Sequence, residues 1–564
     1  MGTKQQRVLV LGDDTRAFLS VIRSLGRSGL DVHIAWCPLN SSALRSRYVV
    51  CRHDLPEYRL DDQRWLVALC DLMRTQQFDL VLPCTDGTIL PLQIHRAELE
   101  RLGRVYLLPD DVYRICSNKC ETHTLAQSLG IPVPQQIFAV DLDAVRCAAA
   151  QLGYPLVLKP VTSSSADNPL QRQKVRKART ADELEDLAAE MLSSGPLVVE
   201  QNFIGRGIGI EFLGHNGEIL TAFQHERIHE PLDGGGSSYR RSAPLDRRMF
   251  EAVRRLAQTL RYTGVAMVEF KENRRTADWI LIEINARFWG SLALSIAAGI
   301  DFPRHLYDML VLGANQFPTT YNSNLYCRHW SSDLQWLLGN MKANRNDPTR
   351  LTKPLRFVAS EVFNVLSCRE RSDTLQFNDP APAVADLAEF FRDKAFALIK
   401  NLTAFRWWMR NRAVRAIRKA RSITFVCHGN ICRSPFASRL MAGTIRSVTV
   451  YSSGCYPREG RRAPTIAVEA AVTFGVDLSS HRSTVIDQPS VDTTDLIFVF
   501  DRRNQKVLAE NFAGLKSKVH YLGVLDSQSP LEIEDPHGAS ADEYRMCYAR
   551  IERIIRHILP TLIT

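Results

Sequence analysis

The run Ile423-Thr-Phe-Val-Cys427-His-Gly-Asn-Ile-Cys432-Arg433-Ser434-Pro435 ends an apolar, strand-forming stretch on a thiol and places an arginine after five intervening residues. A loop between a strand end and a helix start turns its backbone N–H groups inward, and the helix dipole adds positive potential. A phosphate dianion fits such a cradle, and Arg433 can clamp two of its oxygens at once. The same field favours the Cys427 thiolate, a nucleophile. Ser434 can donate a hydrogen bond to it, and Asn430 suits a loop position with positive φ. The leaving oxygen needs a proton. Asp535, followed by Pro536 in the acidic stretch Glu532–Gly538, is the expected general acid and later the base for water.

A second constellation lies in the first 300 residues. Lys159 ends the apolar run Leu156–Lys159, and Glu200 and Gln201 end Leu197–Gln201. Glu269 lies in Val265–Phe270, and Glu283 and Asn285 stand two apart on the next strand, where period-two alternation gives them one face. Two carboxylates and a carboxamide make a hard oxygen set suited to Mg²⁺ held with nucleotide phosphates, whose charge Lys119 and Lys159 would neutralise.

The elements that position these groups are read from periodicity. Strand-like runs at Val8–Gly12, Val32–Trp36, Leu80–Pro83 and Val105–Leu108 alternate with helical patterns at Asp14–Ser28, Gln63–Arg74 and Asp86–Leu102, which predicts a parallel sheet. The Gly12-Asp13-Asp14 turn lacks a dinucleotide fingerprint. From the helix Ser117–Leu129 onward, strands at Leu156–Lys159, Leu197–Gln201, Gly209–Leu213, Ile219–Arg227, Val265–Lys271 and Trp279–Ile284 indicate an α+β body of mostly antiparallel sheet. Residues 304–405 are helical in tendency, and a second α/β unit starts near Ser422.

Both constellations resemble known families. The V-C-x-G-N-x-C-R-S-P signature, with Ser452-Ser453-Gly454, Asp477-Leu-Ser-Ser-His481-Arg482 and Asp535-Pro536 in order, resembles the low-molecular-weight protein tyrosine phosphatases. The resemblance implies a doubly wound α/β domain with a central parallel sheet, a cysteinyl-phosphate intermediate on Cys427 and a protective disulfide between Cys427 and Cys432. His428 and His537 stand where that family usually has an apolar and an aromatic residue at the substrate entrance, so the substrate stays open between a phosphotyrosine protein and a phosphorylated metabolite. Arsenate reductases share the nucleophile but relay electrons through further cysteines, and Phe498–Leu522 contains none.

The N-terminal set, Ser117-Asn-Lys119, Gly130-Ile-Pro-Val-Pro134, Pro155-Leu-Val-Leu-Lys159-Pro160, Glu200-Gln201, Gly264-Val-Ala-Met-Val-Glu269-Phe270 and Glu283-Ile-Asn285-Ala-Arg287, resembles the carboxylate–amine ligase branch of the ATP-grasp superfamily. That resemblance implies a Rossmann-like pre-ATP-grasp domain followed by an ATP-grasp body. Lys119 and Lys159 would bind the phosphates of ATP, Glu200 and Gln201 the adenine, and Glu269, Glu283 and Asn285 the magnesium. Arg287 would face an acyl-phosphate or a substrate carboxylate. The loop after Lys159, Val161-Thr-Ser-Ser-Ser-Ala-Asp-Asn168, is Ser-rich where the superfamily is often Gly-rich. A small-molecule carboxylate and an amine are the implied substrates. A regulatory phosphatase with a nucleotide-sensing domain is the alternative.

The expected division is therefore 1–112, 113–310, a helical tail 311–405, a basic segment 406–421 and 422–564, in a chain of 564 residues, too long for one core. Of the formal charge of +10, Arg406–Ala420 alone carries +6, with +2 on either side, so a nucleic-acid partner is not indicated. Arg406–Arg421 reads as a linker helix with Met409, Ala413, Ala416, Ile417 and Ala420 on one side; Trp407 and Trp408 would also suit a membrane surface. No run has the roughly 18 apolar residues of a membrane span, and no signal-peptide pattern opens the chain, so a cytoplasmic location is expected. Thirteen cysteines without a CxxC pair are expected to be thiols. His225-Glu-Arg-Ile-His229 matches a zinc motif that works only on a helix, and its flanks read as strand.

Overall fold

The computed structural model describes residues 5–563 other than 61, 163–174, 193, 233, 344–349, 457 and 513, and at 516, 562 and 563 the backbone alone. The chain divides into two compact units, Met1–Cys37 with Ser41–Ala388, and Pro38–Asn40 with Glu389–Thr564.

In the first unit, β1 (Arg7–Leu11), β2 (Asp31–Ala35), β3 (Val49–His53) and β4 (Leu80–Pro83) form a parallel sheet in the order β3-β2-β1-β4. β1 has neighbours on both edges and is covered on both faces, which is why its run Val8–Leu11 is apolar without alternation and fully buried. The expected strand Val105–Leu108 is reduced to one bridge, Val105 with Val81, because Pro109 follows at once and caps the next helix. The expected helix Asp86–Leu102 breaks at His95 into Asp86–Ile94 and Arg96–Glu100. Ser117–Leu129 breaks at Asn118, whose side chain accepts from the N–H groups of Cys120 and Glu121 and starts a new helix at Lys119.

A second sheet, β5 (Gln136–Ala139), β6 (Leu156–Pro160), β7 (Arg176–Ala178) and β8 (Leu197–Gln201), is antiparallel in the order β5-β8-β6-β7. The Ser-rich loop after Lys159 lies outside the described residues from 163 on. The third sheet contains β9 (Arg206–His215), β10 (Glu218–His229), β11 (Tyr239–Ala243), β12 (Gly264–Glu272), β13 (Trp279–Asn285), β14 (Tyr326–Arg328) and β15 (Glu370–Ser372), in the order β13-β12-β9-β10-β11-β14-β15. All its pairs are antiparallel except β14 with β15. Leu213, Phe223 and Val265 of this sheet share a core with Val8, Val10, Phe18 and Ile22, so the Rossmann-like and sheet-rich parts pack as one body.

Residues 311–405 are largely helical, as expected, in Trp330–Lys342, Leu355–Ser360, Val362–Leu366 and Ala381–Ile399, but they are not one tail, since Glu389 onward belongs to the second unit. They supply two strands of the third sheet, and Asp379 accepts from buried Arg23 at 2.8 Å. Arg240–Asp373 and Arg328 with Asp333, Glu361 and Glu370 bury further charge in the same region.

In the second unit, β16 (Ser422–Cys427), β17 (Thr449–Gly454), β18 (Leu496–Val499) and β19 (Val519–Tyr521) form a parallel sheet in the order β17-β16-β18-β19. The basic segment belongs to this unit: helix Thr403–Ile417 buries Ala413 and Ile417 in its core, with Met409, Ala416 and Ala420 packed alongside. Arg406 donates to the carbonyls of Ser529, Gly523 and Asp526. The end of the preceding helix, Ala381–Ile399, and the turn after it join this core through Phe396 stacked on Tyr521 and through Lys400–Glu532. Trp407 and Trp408 stay exposed. Among the described residues no helix is long and apolar enough to cross a membrane.

Candidate active sites

The strand order of the second unit reverses about β16, so the loop leaving Cys427 sits at the carboxyl edge of the sheet at a topological switch point, where open α/β sheets bind ligands. Helix Arg433–Thr444 starts directly after it. The Asn430 N–H donates to Cys427 Sγ at 3.2 Å, and Ser434 Oγ lies 3.0 Å from the sulfur. Asn430 Nδ2 donates to Ser434 Oγ at 2.9 Å, and the hydroxyl proton has two acceptors within reach, the sulfur and the Ser453 carbonyl at 3.3 Å. Asn430 has φ of 51°, as its place in the loop required. Its Oδ1 accepts from the Thr484 N–H at 2.9 Å, and its carbonyl meets His481 Nε2 at 2.8 Å. Gly454 leaves room for this turn, since a Cβ there would lie 2.9 Å from the Asn430 nitrogen.

Arg433 is fully buried. It donates to Asp501 Oδ2 at 2.6 Å, to the Ile533 carbonyl at 2.8 Å and to Asp535 Oδ2 at 2.6 Å. The structure thus brings Cys427, Asn430, Arg433, Ser434 and Asp535 into one site. Asp535 is exposed, so an accessible carboxyl group lies one hydrogen bond from the guanidinium. Sequence reasoning missed Asp501; its signal was an aspartate at the end of the strand beside β16, where it also caps helix Arg502–Asn511. Cys432 is a second free thiol, 3.4 Å from the Tyr544 hydroxyl, and burial pushes its pKa up.

The entrance is cationic. Arg503 donates to His428 Nε2 at 3.0 Å, and burial, then Arg503, pushes the His428 pKa down to about 4, so the ring is neutral near pH 7. Tyr456 stands edge-on to His428, and Arg461 lies 4.1 Å over the Tyr456 ring while donating to the Gly429 carbonyl. His537 is exposed.

In the first unit, Lys119 lines one cleft with Glu283 and Asn285, and an adjoining one with Glu200. Lys159 and Glu200, expected to contact different parts of a nucleotide, are buried and paired with each other across β6 and β8 at 2.5 Å. Gln201, the next residue, is exposed. Glu269 faces Glu283 across β12 and β13. Asn285 Nδ2 donates to Glu283 Oε1 at 2.9 Å, and Arg227, on β10, reaches Glu269 Oε2 at 2.5 Å. Burial raises the Glu269 pKa; Arg227 offsets this and Glu283 adds to it. Like charges opposed across a strand pair repel; Arg227 offsets this at Glu269, and the remaining donors are hard oxygens of the kind Mg²⁺ takes. Arg287 donates to Asp86 at 2.8 Å and to Asn285 Oδ1 at 2.9 Å, which fixes its guanidinium at the cleft. Arg227 and Asp86 were not legible in the sequence; each joins the set only through strand pairing and helix placement.

The His225–His229 motif lies on β10, as its flanks indicated. His225 pairs with Glu211 at 2.6 Å, and His229 with Asp333 at 2.8 Å, so neither shares a partner with the other.

Two family models match. One, described as low molecular weight phosphotyrosine protein phosphatase, matches residues 422–563. The low molecular weight protein-tyrosine-phosphatase Wzb of Salmonella typhi is 34% identical over 134 residues, which are 24% of this chain and 89% of that protein. The chain belongs to the low molecular weight phosphotyrosine protein phosphatase family. Its phosphatase domain is also similar to the protein-arginine-phosphatase of Bacillus subtilis, 28% identical over 144 residues, 25% of this chain and 95% of that protein. An ATP-grasp-like domain precedes it. The second model, described as ATP-grasp in the biosynthetic pathway with Ter operon, matches residues 194–330. N5-carboxyaminoimidazole synthetase from Staphylococcus aureus complexed with ADP is similar at 15% identity and a TM-score of 0.48, over 64% of this chain and 97% of that one.

Proposed function

We propose that the chain is a bifunctional enzyme whose C-terminal domain hydrolyses a phosphomonoester through a cysteinyl-phosphate on Cys427. Its N-terminal domain would use ATP to activate a carboxylate as an acyl-phosphate for capture by an amine. The observation that carries the phosphatase half is Cys427 Sγ held by the Asn430 N–H and Ser434, with Asp535 paired to the neighbouring Arg433. The thiolate attacks phosphorus, the phosphate oxygens take over the Arg433 donors, and Asp535, released from the guanidinium, takes up a proton from solvent and hands it to the leaving oxygen. It then takes a proton from the water that cleaves the phosphocysteine.

On the ligase side, Glu269, Glu283 and Asn285 would hold Mg²⁺, which when bound neutralises phosphate charge. Lys119 and Lys159 would orient the phosphates, and Arg287, steadied by Asp86, would meet the carboxylate. The test is ADP release with pooled carboxylic acids and amines, run beside p-nitrophenyl phosphate hydrolysis. The internal pairs Lys159–Glu200 and Arg227–Glu269 favour a second reading, a domain that senses nucleotide. Calorimetric ATP binding with no ADP release for any acid–amine pair would select it.

A further inference from the structure

The outer strands of the N-terminal sheet carry a constellation that neither activity uses. His33 is on β2, and Cys51 and His53 are on the neighbouring edge strand β3. In the parallel register His33 stands beside Cys51 and Ala35 beside His53, so the three side chains share one face. His33 Nδ1 and His53 Nε2 are 2.8 Å apart, and with ring centroids 5.1 Å apart and 11° between their planes the rings lie end to end, nitrogen facing nitrogen. Phe78 closes edge-on against both rings, at 5.3 and 6.3 Å. One ligand atom from each of His33, Cys51 and His53 lies within 4.8 Å of the others, and this is the one such group of histidine, cysteine and carboxylate ligands among the described residues.

We propose that His33, Cys51 and His53 form a binding site for a borderline-soft divalent metal ion, Zn²⁺ in preference to Mg²⁺, with its fourth position open to solvent. Two imidazoles and a thiolate are the donors such ions select, and hard cations are not. His33 is buried, while Cys51 and His53 are half-buried on the edge strand, so the ion has an approach from one side. Tetrahedral ligation needs the two nitrogens about 3.3 Å apart, so the rings part by roughly half an ångström and each turns to aim its lone pair at the ion. On binding, the proton shared between the rings moves to the far nitrogen of whichever ring holds it. The Cys51 thiol proton goes to solvent, the metal takes one lone pair from each ligand, and no redox partner is needed.

The experiment uses full-length protein carrying Cys427→Ser, so that the nucleophilic thiol does not take up metal. Titration with Co²⁺ should give a thiolate-to-cobalt charge-transfer band in the near ultraviolet that Zn²⁺ displaces. Cys51→Ala should remove that band, and His53→Gln should weaken binding by at least about 100-fold. Zn²⁺ should also slow alkylation of Cys51, read by mass spectrometry of its peptide in a chain whose Cys51 is intact. That readout decides the matter should Cys51→Ala fail to fold. Absence of the charge-transfer band, its persistence in folded Cys51→Ala, or alkylation of Cys51 unaffected by Zn²⁺ would each overturn the site.

Discussion

In the proposed mechanism Asp535 and Cys427 divide the phosphatase chemistry between them, and their substitution should separate its steps. Cys427→Ser should abolish p-nitrophenyl phosphate hydrolysis. Asp535→Asn should lower turnover by about 10²–10⁴-fold while inorganic phosphate still binds. Steady-state rates with phosphate as a competitive inhibitor check both, and turnover in the Cys427→Ser protein at the wild-type rate would refute the nucleophile. A different residue effect belongs to Lys271, which lies on β12 and donates to the Phe203 carbonyl at 3.3 Å. Burial, then Lys177, pushes its pKa down to about 8 from an ordinary 10.5. The folded state therefore sheds this proton before the unfolded chain does. Stability from this group is complete above pH 10.5 and is lost as pH falls through about 8, by on the order of 2 kcal/mol after allowance for partial exposure. Denaturant titrations between those pH values should show the slope, and Lys271→Met should flatten it.

Between strand and helix, the phosphate loop depends on its neighbour as much as on its own sequence. Gly454 on β17 touches Asn430, and a methyl group there would meet backbone at 2.9–3.0 Å that cannot swing aside. Gly454→Ala should therefore displace Asn430 and cost about 1–3 kcal/mol of stability. It should also lower phosphatase turnover, which thermal melts and p-nitrophenyl phosphate assays would read together. A melt and rate identical to wild type would mean the loop yields freely. The pair β12–β13 poses the parallel question for the ATP-grasp-like domain. Glu283→Gln keeps the shape and removes one of two opposed charges. It should keep or raise the melting temperature, because Glu269 loses a like-charged neighbour. It should also cut Mg²⁺-dependent ATP turnover by orders of magnitude for any acid–amine pair that the wild type converts. Turnover equal to wild type would remove Glu283 from the metal set. These elements were legible where strong apolar periodicity ran between turn residues, as in β1, β4 and β16. The short strands β3, β14 and β15 were not, because three to five residues with mixed burial give no periodic signal and form only when a neighbour supplies hydrogen bonds.

For the whole molecule, the division at Ala388 and Glu389 changes what a stable phosphatase fragment is. A fragment beginning at Arg421, as the charge distribution alone would place it, omits Ile417 and Ala413 from the core and the Arg406 contacts to three carbonyls. Burial of Ile417 alone is worth about 1.5–3 kcal/mol. Glu389–Thr564 should therefore melt cooperatively and well above Arg421–Thr564. Equal melting temperatures would show that the helix Thr403–Ile417 adds nothing to that core. The sequence by itself determined the chemistry available here: a strand ending in Cys427, an arginine at the right reach, and a carboxylate and a carboxamide two apart on a strand are properties of residue order and of period two. Only the tertiary structure decided which charges meet. Arg433 with Asp501 and Asp535, Arg227 with Glu269, and Lys159 with Glu200 are contacts between elements distant in the chain, and sheet order, which no local pattern encodes, is what sets them side by side.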